Sequence, residues 1–341
     1  MVDNTLSRLA RWGWIASLSL ALLGLIVVGA GIGAYPISHI DILSHLWLRL
    51  LGGEVSGQVD RILFEIRFPR IAASAIVGAV LAAAGCAYQG LFRNPLVSPD
   101  ILGVSTGAGL GAALGILLSL SIVAIQVMAF AGGLVTVALV YAVANMVRHR
   151  EATLVLVLAG VVIGSLAGAT LSLIKVLADP YDQLPAITFW LLGSFASVRI
   201  ADVVAVIPAV VISLIPMILL RWRMNVLSLG DEEARALGVH PSRLRGILVI
   251  AATLMTAAAV SIAGVIGWVG LIVPHMARLV VGPNFARLLP VAMLMGSCFL
   301  VGIDTLARTL TTTETPIGIL TAFFGAPVFL FLLARSRRGW Q

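Results

Sequence analysis

Charge is scarce in this chain: of 341 residues only 11% are charged, lysine occurs once, at Lys175, and cysteine twice, at Cys86 and Cys298. The one lysine sits in Ile174-Lys175-Val176, so a phosphate-cradling Gly-x-x-x-x-Gly-Lys-Ser/Thr loop is excluded. If ATP drives this protein, hydrolysis belongs to another subunit. No His-Glu-x-x-His pair occurs, so a membrane-embedded hydrolase has no support there, and no catalytic residue is expected. Neither cysteine has metal-ligand spacing around it; both lie among small apolar residues and read as packing residues, so no metal site is expected either.

Ionisable residues are also nearly missing from the interiors of the apolar runs, where ion-coupled secondary transporters and proton pumps keep their relay groups. Asp304 and Arg308 stand one turn apart at the end of one run, spaced to pair with each other. His275, which follows Pro274, reads as a hydrogen-bonded structural residue, and Tyr88 and Tyr141 as structural too.

What is abundant is apolar surface. Hydrophobic residues make up 60% of the chain and the mean hydropathy is +1.09, against roughly 45–50% apolar content in soluble domains. A membrane-crossing helix needs about 20 apolar residues. Runs of that kind fall near 12–34, 71–91, 102–123, 125–147, 152–176, 203–220, 246–262, 264–281, 288–307 and 317–334, which predicts an all-α polytopic membrane protein of about ten spans in one permease domain, 1–341. The first run is long enough to be retained as a helix rather than removed as a signal peptide. A shorter apolar piece, 186–196, is introduced by Asp179-Pro180 and Pro185 and predicts a re-entrant half-helix; Ile37 to Leu51 predicts an amphipathic helix along the membrane surface.

The formal charge of +7 is strung between apolar runs and forms no basic groove, so lipid and not nucleic acid is the expected surroundings. Placing both termini in the cytoplasm puts 15 of the 22 Lys and Arg residues there, including Arg148, Arg150, Arg337 and Arg338. The positive-inside rule favours that orientation. Small residues recur at every fourth position, at Gly103, Gly107, Gly111 and Gly115 and again at Gly160, Gly164 and Gly168. Such ridges serve close helix packing, or else form a smooth wall beside a substrate path.

The longest interior cytoplasmic segment, 221–245, reads as a helical insertion. Ser228 or Gly230 opens a short helix, Asp231, Glu232 and Glu233 occupy its first turn, and Gly238 closes it. Ala234 and Leu237 would share a small apolar face. The local pattern alone fits a docking element for a partner or a solvated connector.

In this segment Leu229, Gly230, Asp231, Glu232, Ala234, Leu237 and Gly238 match the pattern Leu-Gly-Asp/Glu-Glu-x-Ala-x-x-Leu-Gly. Further blocks are Arg67-Phe-Pro-Arg70, Gln89-Gly-Leu-Phe-Arg-Asn-Pro-Leu96, Pro99 to Gly103, Gly267 to Arg278 and Pro316 to Pro327. With these blocks in order along nearly its whole length, the chain resembles the FecCD/BtuC family of ABC importer permeases, for iron chelates such as siderophores, haem and vitamin B12. One departure is Glu314-Thr315-Pro316, where the family usually has Glu-Leu-Pro.

The resemblance implies a homodimer of ten-helix subunits in a bacterial plasma membrane, with the path on the two-fold axis. It also implies two ATPase subunits that bind the ATP and Mg, no cofactor on this chain, and a periplasmic or lipid-anchored binding protein. It assigns residues 230–238 to ATPase coupling, and Arg67, Arg70 and Arg308 to docking of acidic residues on the binding protein; the same arginines would otherwise anchor at the membrane interface. It places Gly160, Gly164, Ser165, Gly168, Ser172, Thr321 and Gly325 along the path. Siderophore, haem, cobalamin and an oxyanion such as molybdate stay open as cargo.

Overall fold

A long apolar run in lipid must bond its backbone groups within itself, and a helix does this. The computed structural model describes residues 2–33, 35–51, 57–147, 152–311 and 313–336, and among these every regular element is helical. Arg148, Arg150, Arg337 and Arg338 of the expected cytoplasmic set lie outside the described residues.

In chain order α1 is Val2–Gly31 and α2 is His39–Leu50, the expected amphipathic helix. The short α3, Gln58–Arg61, runs through a π-helical turn at Ile62–Arg67 into α4, Phe68–Leu91, as one continuous 34-residue helix. Arg49 of α2 lies 3.9 Å over the Phe64 ring and 3.7 Å from Asp60, which pins α2 to this entry. Next come α5 (Val104–Leu117), α6 (Ile122–Met146), α7 (Ala152–Leu177) and α8 (Gln183–Leu192). They are followed by α9 (Ile200–Leu219), α10 (Arg221–Leu227), α11 (Asp231–Ala236) and α12 (Pro241–Ala263). The chain closes with α13 (Val269–Val281), α14 (Phe285–Ala307) and α15 (Ile317–Ser336).

Among the described residues eight helices are long and apolar enough to cross a membrane. The third and eighth expected spans are shorter than the apolar runs suggest. At 14 and 13 residues, α5 and α13 reach about 20 Å against a hydrocarbon layer of about 30 Å. The reason is backbone conformation. A 3-10 turn at Pro99–Leu102 and a left-handed Gly103 precede α5, and Ser119 (φ 52°) follows it; Gly264 (φ 68°) and Trp268 (φ 71°) break the chain before α13. Hydropathy is blind to these breaks.

The half-helix also shifts, to Gln183–Leu192, because Gly193 (φ 72°) ends it. Its end is woven to two other irregular stretches. Ser194 N–H donates to the Ala263 carbonyl at 2.9 Å and Ile317 N–H to the Gly193 carbonyl at 3.0 Å. Non-helical backbone in a helical membrane protein needs such internal partners.

The core is centred on α4 and α12. Their Ala- and Gly-rich faces bury Ala82, Ala83, Ala84, Ala252, Ala257 and Ala258. A Cβ on Gly78 of α4 would overlap the Gly296 carbonyl of α14, and one on Gly107 of α5 would overlap Thr136 and Gly132 of α6. Backbone contact at this range requires glycine, so the Gly107, Gly111 and Gly115 ridge is helix packing. Tyr88, fully buried, is 3.1 Å from the Thr253 hydroxyl, and Cys86 is fully buried beside it in sequence, each filling the core.

Candidate functional site

Two polar clusters mark opposite ends of α4. Arg70 is near its start and Arg93 just past its end, 23 residues on, which is about 34 Å of helix.

At the Arg93 end, α11 is a single short helix. Gly230, with φ 140°, opens it, and Asp231, Glu232 and Glu233 fill its first turn, where backbone N–H groups favour negative charge. It closes at Gly238 (φ 76°), with Val239 N–H donating to the Ala234 carbonyl at 2.8 Å and Gly238 N–H to that of Arg235 at 3.0 Å. These start and stop signals fall where the sequence puts them.

The expected apolar face does not form. Ala234 is fully buried against the core, whereas Leu237 caps the helix and is 54% exposed, joined outside by Leu229 at 62%. Nor is Asp231 a free surface acid. It accepts two bonds from Arg245 of α12, at 2.6 and 2.8 Å, and lies 3.8 Å from Arg93. The Arg245 bonds hold its carboxyl below the usual carboxylate range, with Arg93 and Arg235 adding to the effect against partial burial. Asn225 of α10 accepts from Phe285 N–H at 2.7 Å, bonding an otherwise free donor at the start of α14. The insertion is thus bolted to α4, α12 and α14, while Glu232, Glu233, Leu229 and Leu237 face outward. Sequence reading missed Arg93, Arg245 and Asn225; the signal available for Arg245 is an arginine in the first turns of an otherwise apolar helix.

At the other end stand Arg67, Arg70 and Arg308. None projects freely. Arg67, 4% exposed, donates to the Ala30 and Tyr35 carbonyls. Arg70 gives its Nε–H to Asp304 at 2.6 Å and both terminal nitrogens to Glu314, at 2.8 and 2.5 Å. Arg308 bonds the Gly29 and Ile32 carbonyls at 3.1 Å and faces Asp304 at 3.3 Å, as its one-turn spacing suggests. All three nonetheless line one open cavity of about 850 Å³, together with Tyr35, Thr309 and Glu314. The sequence brings the arginines to one place and leaves out Glu314, which completes the cluster.

The residues expected along a path divide. Gly160 packs so closely on Ile101 that a Cβ would overlap its carbonyl, whereas a Cβ on Gly164 or Gly168 would fit, in ordinary contact with Gly103 or Thr106. Thr321 is fully buried and bonds the Gly318 carbonyl at 3.1 Å, and a Cβ on Gly325 would lie 2.8 Å from Trp268. Gly160, Thr321 and Gly325 thus make close contacts within the subunit, while Gly164 and Gly168 are half-buried. Ser165 and Ser172 are exposed, their hydroxyls turned back onto the Val161 and Gly168 carbonyls. From Ser165 to Ser172 that face carries no charge, and Lys175 follows in the last turn of α7.

Residues 103–107 spell Gly-Val-Ser-Thr-Gly, the string of a hydrolase nucleophile elbow. An elbow needs a strand before its turn. Here a 3-10 turn precedes, and the Ser105 hydroxyl donates to Asp100. Among the described residues no group of His, Cys, Asp or Glu is arranged to hold a metal.

The model of the FecCD transport family matches residues 20–335. This chain belongs to the FecCD transport family. It is 39% identical to the molybdate import system permease protein MolB of Haemophilus influenzae, over 94% of this chain and 95% of that one. It is 47% identical to the cobalamin import system permease protein BtuC of Halobacterium salinarum, over 80% of this chain and 73% of that one. The hemin transport system permease protein HmuU of Yersinia pestis is 34% identical over 93% and 96%. A solved structure of an ABC transporter, assigned to the metal-chelate type and inward-facing, superposes with a TM-score of 0.84 at 36% identity, covering 94% of this chain and 98% of that one. This permease is therefore a multi-pass membrane subunit of the ABC-importer kind.

Proposed function

We propose that this permease moves an iron chelate, or a related metal-organic compound, into a bacterial cytoplasm, driven by ATP hydrolysed on two partner subunits. In this reading two copies form the path on a two-fold axis, both termini are cytoplasmic, and an external binding protein delivers the cargo. The observation that carries it is the mounting of α11. A helix that had only to connect two spans would not need its first carboxylate clamped by a buried arginine while two leucines and two glutamates are held out toward solvent. A rigid lever with a sticky tip is what an ATPase cleft must grip to move the spans.

Gly230 and Gly238 set the lever's ends, Asp231 and Ala234 anchor it, and Glu232 and Leu237 meet the ATPase. The stretch of α7 from Ser165 to Ser172, which carries hydroxyls and no charge, suits a cargo that carries its metal fully ligated. The relatives are named for molybdate, cobalamin and hemin, so the test of cargo is a binding panel with the binding protein: ferric siderophores, haem, cobalamin and molybdate. Coupling is tested by changing only the tip, Glu232→Gln with Leu237→Ser, in the assembled transporter in proteoliposomes. Uptake should fall about five- to thirtyfold with the fold unchanged, since two central contact residues of an interface carry about 1–2 kcal/mol. Uptake at the parent rate would refute the assignment.

A further inference from the structure

Arg70 poses a question for docking, because its guanidinium is already committed. Its Nε serves Asp304, and both terminal nitrogens serve Glu314. A carboxylate from outside can take a two-nitrogen place on Arg70 only by replacing the carboxylate that already holds it. The two carboxylates are not equivalent: the Asp304 side chain is 1% exposed and that of Glu314 29%, and Glu314, not Asp304, lines the open cavity. Glu314 is the partner that can leave.

Glu314 also holds something else. Its Oε1 accepts from the Ser194 hydroxyl at 3.3 Å, and Ser194 is the second residue after α8. Three residues after Glu314, Ile317 N–H bonds the Gly193 carbonyl, so the start of α15 and the end of α8 are joined. Glu314 thereby ties these two elements to Arg70 in the α4 core.

We propose that Glu314 is an exchangeable latch: a carboxylate of the docking binding protein takes its place on Arg70, and the end of α8 with the start of α15 is released from α4. The proposal rests on the docking role of Arg67, Arg70 and Arg308. The exchange is balanced, carboxylate for carboxylate, so the buried guanidinium is never left without a partner, the arrangement that would be most unfavourable. Three arginines face two carboxylates in the cluster, leaving one net positive charge to draw an acidic side chain into the cavity. The released Glu314 turns to water. Docking at the rim thus loosens the end of the half-helix, which keeps its Ser194–Ala263 backbone bond to α12, without any change at the core pair.

The test uses the complete transporter in lipid nanodiscs, with purified binding protein of the same system. Removing the competitor by Glu314→Gln should tighten binding-protein association by about tenfold, the scale of one charge-assisted pair, and raise ATPase activity measured without the binding protein. Ser194→Ala should leave affinity unchanged and reduce stimulation of ATPase by the binding protein. A spin label at Thr188→Cys on α8, in an otherwise unchanged chain, should become more mobile on docking. Equal or weaker association for Glu314→Gln, or a label indifferent to docking, overturns the latch. Arg67→Glu separates the two ideas: if it abolishes association while Glu314→Gln does not tighten it, the latch alone fails. If Arg67→Glu has no effect, the docking reading fails with it.

Discussion

Consider replacing Asp231 with Asn. The side chain keeps its shape, but Arg245, whose side chain is 7% exposed, loses its counter-ion, as does Arg93 at 3.8 Å. Two charge-assisted bonds at 2.6 and 2.8 Å are weakened to neutral ones. Hydrogen bonds to charged groups contribute about 1.5–3 kcal/mol each when buried. Because Asp231 is about one-third exposed, 30% by side chain, solvent screening reduces the sum to about 2 kcal/mol. That is roughly a 30-fold shift in the population of α11 seated on α12. A double-mutant cycle of Asp231→Asn with Arg245→Met, read by reversible unfolding in mixed micelles, should give a coupling energy above about 1 kcal/mol. Uptake per ATP hydrolysed should fall in the single Asp231 variant, since an unseated lever turns over without moving the spans. Strictly additive effects on stability would refute the clamp.

The pH dependence has a definite sign. A carboxyl whose folded pKa is lowered contributes stability above its unfolded value, about 3.9, and loses it as pH falls through the lower folded value. The clamp is therefore intact at neutral pH and at pH 5, and the Asp231→Asn penalty should be constant between them and shrink only below about pH 4. At the far end of α11, Gly238→Ala forces a side chain into φ 76° with open space around it. It should destabilise by about 1 kcal/mol, and Gly238→Asn by less; equal thermal stability of Ala and Gly forms would contradict the left-handed cap. On α7, cysteines at Ser165 and Ser172 should react with a water-soluble maleimide in the assembled transporter, whereas one at Gly160, packed on Ile101, should not. The reverse pattern would move the path to another face.

The sequence by itself determined the membrane class, the approximate places of the apolar helices and the limits of α11, because these depend on local quantities. Run length against bilayer thickness, the glycines at 230 and 238 and the acids at 231–233 act over a few residues. It also brought the FecCD pattern into view without any contact being known. The shortness of α5 and α13 was hidden, because Gly103, Gly264 and Trp268 take up positive φ angles that hydropathy does not register. Which partner each charge takes was decided only by tertiary structure. Arg70 meets Asp304 and Glu314 across more than 230 residues of chain, and Asp231 meets Arg245 and Arg93 from three elements. The same holds for the glycines of α7: their spacing permits a close neighbour or an open wall, and it is Ile101 lying against Gly160 that makes this one a packing position, while Gly164 and Gly168 keep room for a Cβ. A side chain's direction is local, but what it meets is set by the helix that the fold lays beside it.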